Sequence, residues 1–287
     1  MKYSNKKINY FKKLEKKMDR EYINAILEVL NKECPSIRTP KYTNIYYLYH
    51  IVLVLTDLKK WESLHLLYND LPEYHYKTIQ DKHLLWSELN IYEIAYKILF
   101  NKYKLPILKN SSNLILFIDS TLIYNKNGSE CIGYGQNPKK KETKISAICD
   151  KNKTLYSIDI CNINHKTVTK NTLKDDAHTV ETSLQFLLKN KLKYKKIILV
   201  GDKGYARTQI DRQSIRDLFN VELLYPHKKN QKIKTPSRTK QFLKNRYVIE
   251  NVFSTFKNFD RICLRKDKST SSFKGFLYLA SIIKFKK

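Results

Sequence analysis

Two short, unbroken apolar runs constrain this chain more than any other feature. One is LILFI at 114–118, closed by Asp119; the other is IILV at 197–200, closed by Gly201 and Asp202. Four or five apolar residues are too few for a buried helix. They suit a strand covered on both faces, as in the interior of a helix-flanked sheet. Alternating patterns at 144–149 and 155–161, with a turn over 150–153, read as two further strands. Helical periodicity follows at 177–189, 210–219, 241–259 and 273–285, with a short strand at 221–225. The order of elements predicts a mixed α/β sheet with flanking helices over residues 107–287.

The first 106 residues read differently. Apolar residues recur at helical steps in Tyr22, Ile23, Ile26, Leu27 and Leu30, and again over 46–58, 61–68, 78–89 and 92–103. Pro35, Pro40, Pro72 and Pro106 separate these stretches. A small all-α domain over 1–106 is expected, able either to bind DNA through a helix pair or simply to pack. No internal repeat is visible. No apolar run is long enough to cross a bilayer, and the Lys- and Asn-rich start carries no signal-peptide core, so an intracellular protein without a membrane partner is expected.

Charge bears on the partner. Lys and Arg total 55 against 27 Asp and Glu, a formal net charge of +28. Heavy use of Lys, Asn, Ile and Tyr follows from AT-rich codons and explains part of this excess. Its distribution is not explained that way: residues 203–287 alone hold 21 cations and 6 anions, and seven of the nine Arg. The stretch 226–240 carries Lys228, Lys229, Lys232, Lys234, Arg238 and Lys240 with no acid. A basic loop in a basic C-terminal third points to a polyanion such as nucleic acid. The five cysteines form no CxxC pair and no Cys/His cluster, which argues against zinc and for reduced thiols.

If the strands that precede Asp119 and Asp202 are parallel neighbours, both carboxylates stand at one carboxyl edge of the sheet, where open α/β folds keep their sites. Two carboxylates that close need a proton or a metal between them, and all-oxygen ligands suit magnesium or manganese. An aspartate after a strand can equally start a turn or cap a helix. A third acid lies on the helix expected over 241–259. There Arg246, Glu250 and Lys257 fall within about 40° of one another at helical spacing, beside an apolar stripe of Ile249, Val252, Phe253 and Phe256. By spacing alone this could be a solvated face with one ion pair.

The segments "FIDST" at 117–121, "VGDKGYA" at 200–206 and "RYVIENVFSTFKNFDRICLR" at 246–265 resemble the three catalytic blocks of bacterial insertion-sequence transposases of the DDE type. "GQNPKKKETKISAICD" at 135–150 is similar to the family's first-hairpin region, and "FKGFLYLASII" at 273–283 to its last helix. The resemblance covers about 107–285. It implies a ribonuclease-H-like catalytic domain in which Asp119, Asp202 and Glu250 hold two Mg2+ or Mn2+ ions. Asp119 then bridges both ions, with Asp202 on one and Glu250 on the other. Arg246 and Lys257 match the cations of an R-x3-E-x6-K pattern, while Leu243 stands where the family often has Tyr. Asp176 matches an acid often found before the preceding helix.

The implied activity is cutting and joining of double-stranded DNA at the terminal inverted repeats of an element, and into target DNA, by a homodimer. Arg246, Lys257, Lys203 and the 226–240 loop then neutralise phosphates. Tyr205, Tyr225 and Phe242 are the aromatic candidates for stacking on an unpaired base. Two other readings stay open at this level: a related metal-dependent nuclease that joins nothing, and a decayed copy that only binds DNA.

Overall fold

The computed structural model describes residues 9–35, 42–58, 60–67, 75–109, 113–134, 140–161, 180, 183–185, 196–206, 208–227 and 234–286. Asp176, Lys228, Lys229 and Lys232 lie outside the described residues, as does most of the helix expected at 177–189. Val180 and residues 183–185 of that stretch are helical.

The N-terminal helices are α1 (Tyr10–Glu15), α2 (Arg20–Glu33), α3 (Asn44–Thr56), α4 (His75–Glu88), α5 (Ile91–Tyr103) and α6 (Leu105–Lys109), with a 3-10 helix at Glu62–Leu67. Asp19 starts α2 by accepting a hydrogen bond from the Glu21 backbone N–H at 2.9 Å. Every residue of α3 from Tyr46 to Leu55 is buried, as expected of a helix apolar all round.

The sheet contains β1 (Asn113–Asn125), β2 (Gly133–Tyr134), β3 (Lys141–Asp150), β4 (Leu155–Cys161), β5 (Lys196–Val200), β6 (Val221–Leu224) and β7 (Leu264–Arg265). Its main order is β4-β3-β1-β5-β6, with β2 also on β3 and β7 also on β1. The pairs β1–β3 and β3–β4 are antiparallel, whereas β1–β5 and β5–β6 are parallel. This is the ribonuclease-H-like arrangement. Among the described residues after β5, five α-helices follow: α7 (Gln209–Phe219) before β6, then α8 (Ser237–Leu243), α9 (Tyr247–Lys257) and the short α10 (Asp260–Cys263) before β7, and α11 (Thr270–Ile283) after it.

Two expectations need correction. The helix expected over 241–259 is broken: α8 ends at Leu243 and α9 starts at Tyr247. Between them Asn245 N–H bonds to the Phe242 carbonyl and Arg246 N–H to the Leu243 carbonyl, both at 3.1 Å. These tight i→i−3 bonds replace the α-helical pattern where Lys244 and Asn245 bring no apolar side chain to the core. The second correction concerns β1, which does not end at Asp119. It continues to Asn125 because β3 pairs with it as far as Tyr124↔Glu142.

The passage from helices to sheet occurs between α6 and β1, yet the apolar core runs across it. α11 packs against α4 and α5 of the N-terminal part and against β4 of the sheet. Gly275 on α11 lies so close to Ser87 on α4 that a side chain there has no room. Among the described residues no helix is long and apolar enough to cross a membrane.

Candidate active site

The site follows from how β1 is shared. β5 pairs with β1 up to Phe117↔Val200, and β7 pairs with the same edge only from Tyr124↔Leu264. Between Phe117 and Tyr124 that edge has no strand partner among the described residues. Asp119 opens onto this notch. Asp202 follows β5 by two residues, as Asp119 follows Phe117, so the register sets the two aspartates level on neighbouring strands.

Asp202 begins a 3-10 turn at Lys203–Tyr205, and its Oδ1 accepts from the Gly204 N–H at 2.7 Å. The turn is anchored by Tyr205, whose side chain is fully buried. It folds back so closely that a Cβ on Gly201 would stand 2.8 Å from the Tyr205 ring, which only glycine avoids. Burial removes Tyr205 as a stacking surface; Tyr225 and Phe242 are half-buried. Arg212 lies 5.9 Å over the Tyr225 ring and Arg238 lies 5.9 Å over Phe242.

Glu250 arrives on α9, whose Val248, Ile249, Val252, Phe253 and Phe256 are buried and whose packing reaches β1 and β3. Each such side chain contributes roughly 1.5–3 kcal/mol of burial before entropy is counted, so the helix orientation is well determined. The tight turn at 244–246 places Arg246 at the N-terminus of α9. Its Nη1 donates to Asp119 Oδ2 at 2.7 Å and its Nη2 to Glu250 Oε1 at 2.9 Å. The Arg246 side chain is 25% exposed, Asp119 18% and Glu250 56%. Glu250 therefore does more than pair along its own helix: the guanidinium ties it to a strand that lies far away in sequence. Asp119 Oδ1 accepts from the Ser120 N–H at 2.9 Å.

The three carboxylates border one notch, but they do not converge. Among the described residues no three acid, His or Cys side chains lie close enough to hold a metal ion. Of the expected phosphate contacts, Lys203, Lys234, Arg238, Lys240 and Lys257 are exposed. Arg238 also reaches Glu222 at 3.4 Å. Sequence reading placed Arg246 against phosphate and missed that it holds two of the acids. The i,i+4 spacing of Arg246 and Glu250 hinted at half of this arrangement; nothing local marks the Asp119 half.

The chain shows likeness to several solved structures. The catalytic domain of Mos1 mariner transposase shares 14% identity at a TM-score of 0.28, over 66% of this chain and 86% of that chain. The Mos1 catalytic domain with raltegravir and manganese shares 12% at 0.27, over 58% and 88%. A pre-cleavage Mos1 transpososome shares 12% at 0.27, over 87% and 79%. Such TM-scores carry no weight for the fold, which rests here on strand order and register. A search of curated proteins finds no match. A family model described as a transposase DDE domain matches residues 110–283, from the approach to β1 to the end of α11. That is more than half of the chain, which therefore belongs to the DDE transposase family.

Proposed function

We propose that this transposase cuts and joins DNA at the ends of its own element, with Asp119, Asp202 and Glu250 as the ligands of a divalent-metal pair, Mg2+ or Mn2+. The observation that carries the reading is the Arg246 bridge, which draws Asp119 and Glu250 to one guanidinium beside the Asp202 turn. The donor chemistry fits a hard cation. All six side-chain oxygens come from carboxylates, and Asp202 Oδ2 and Glu250 Oε2 have no hydrogen-bond partner among the described residues. Bound divalent ions supply the charge that activates the attacking oxygen and stabilises the leaving one.

The chain's own groups do the rest. Arg246 keeps two like charges together before substrate arrives, at the cost of occupying their oxygens. A phosphate entering the notch offers Arg246 a competing anion and frees Asp119 and Glu250. Lys203, Lys257 and the 226–240 loop, with Lys228, Lys229, Lys232, Lys234, Arg238 and Lys240, then hold the strand in register. Residues 1–106 are proposed to act as a DNA-contacting part and 107–287 as the catalytic domain. A homodimer on two element ends is the proposed assembly.

The test is nicking and joining of duplex DNA that carries the repeats flanking the gene, with magnesium or manganese. Glu250→Gln is expected to abolish cleavage while leaving DNA binding intact or slightly tighter, because an anion beside phosphate has gone. Cleavage within a few-fold of the unaltered protein rejects the triad. Nicking without joining by the unaltered protein rejects the transposase mechanism in favour of a nuclease.

A further inference from the structure

The far end of the same notch holds a feature the proposed chemistry does not use. β7 pairs in parallel with the end of β1 as Tyr124↔Leu264 and Asn125↔Arg265, so Lys126 and Lys266 each follow the last pair on adjacent strands. Their backbones are joined directly: the Lys126 N–H donates to the Arg265 carbonyl at 2.8 Å. Like charges side by side on neighbouring strands oppose folding. Such a local conflict suggests that the position serves something other than stability.

A third cation comes from the helical part of the chain. Lys60, exposed, precedes Trp61, whose buried ring lies 5.4 Å from the Arg261 guanidinium of α10. The Lys266 ammonium is held below its usual value by partial burial first, then by Arg261, with Lys126 and Lys60 adding to this and Asp260 opposing it. The same-sign groups come to one place from three segments remote in sequence, with Asp260 beside them.

The backbone beneath them is rigid. Arg265, fully buried, donates to the carbonyls of Glu130, Asp267 and Lys268, which pins the loop after Lys126 to the segment after Lys266. Six residues of β1 separate Asp119 from Asn125, about 20 Å at ~3.3 Å per residue. Successive phosphates on one strand advance by about 3.4 Å along the axis of duplex DNA, so the same distance covers about six base pairs of axis.

We propose that Lys60, Lys126 and Lys266 form a phosphate-binding surface for duplex DNA, about six base pairs along the duplex axis from the phosphate at Asp119. This rests on the reading of the notch as a DNA-cutting site and deepens it: the duplex enters past Asp202 and Asp119, runs along the unpaired edge of β1, and is held again where β7 closes the notch. Lys60 gives the N-terminal part a direct share in that grip.

The experiment is a salt titration of duplex binding by the full chain and by the triple variant Lys60→Gln, Lys126→Gln, Lys266→Gln. The slope of log affinity against log salt is expected to fall by about 2–3 units, at ~0.9 per lost phosphate contact. A control with the same charge change on exposed Lys151, Lys153 and Lys286, outside the notch and the helical part, is expected to keep the full slope. An unchanged slope in the triple variant, or an equal fall in the control, overturns the surface and leaves the catalytic reading standing. Absence of salt-dependent DNA binding by the unaltered chain overturns both. Should the triple variant not fold, Lys126→Gln and Lys266→Gln singly should each lower the slope by about 0.9, and no change in either overturns the proposal.

Discussion

The notch around Arg246 and the buried knot around Arg265 are both organised by one guanidinium, yet their neighbours make them opposites. Arg265 is fully buried, and besides three backbone carbonyls it donates to the Thr143 hydroxyl at 3.0 Å. Beside it Arg261 pairs with Asp267 at 2.7 Å, both side chains 4% exposed, and Ser272 Oγ donates to the same Asp267 oxygen at 3.1 Å. Most of Arg265's acceptors are backbone groups whose positions are set by the chain, and no solvent is at hand to replace it. Arg246 is partly exposed and its acceptors are two carboxylates, groups that a metal ion or any other cation can claim. Burial with neutral acceptors makes an arginine a fixture. Partial exposure with anionic acceptors makes it exchangeable.

The contrast breaks most directly at Arg265. Arg265→Met leaves buried carbonyls and a hydroxyl without a donor and should cost about 3–5 kcal/mol of stability, measured by urea unfolding. A loss below about 1 kcal/mol would mean that the knot is no more structural than the notch.

Acid sharpens the same contrast through His83, buried between α4 and α11. Its Nε2–H donates to the Ser272 carbonyl at 3.2 Å, its Nδ1 accepts from the Tyr92 hydroxyl at 3.1 Å, and its ring stacks on Phe276 at 4.0 Å. Burial, partly opposed by Asp267, pushes its pKa from 6.5 down to about 4. Above pH 6.5 the imidazole is neutral in both folded and unfolded chains and no stability is at stake. As pH falls from 6.5 to about 4 the unfolded chain takes up the proton first, so stability declines through that window by about 3 kcal/mol. Unfolding midpoints of the unaltered chain and of His83→Gln across this range check it. Parallel declines in the two would assign the acid sensitivity elsewhere.

The smallest effect on stability belongs to Arg246. Replacing it with Gln should change folding stability by no more than about 1 kcal/mol, since partly exposed ion pairs contribute little. Manganese affinity without DNA, followed by electron paramagnetic resonance, should nevertheless rise about tenfold, because a competing cation has left Asp119 and Glu250. Weaker manganese binding would show that Arg246 props the acids in place and is not their exchangeable partner.

Much of the fold was legible because it is written in local periodicity. The β4 bounds match the alternating pattern at 155–161, and β5 differs from the expected strand by the addition of Lys196 alone. α2, α3, α5 and α7 fall on their apolar spacings. The second half of β1 was not legible. After Asp119 the sequence STLIYN mixes polar and apolar residues without a clear strand run, and its extension depends on pairing with β3. Nor was the break at 244–246, where the apolar stripe of α9 continues the helical phase and only the hydrogen bonds reveal the tighter turn.

By itself the sequence determined which residues are acids behind apolar strands, which helix faces are apolar, and that positive charge gathers after Asp202. These are properties of neighbours along the chain, where side-chain period and charge act directly. Only the tertiary structure decided that Arg246 stands between Asp119 and Glu250, that α11 packs on helices from the other end of the chain, and that Lys126 meets Lys266. Each of those juxtapositions joins segments whose separation in sequence carries no periodic signal. They arise when β7, two residues long, and the buried face of α9 close the sheet around the notch.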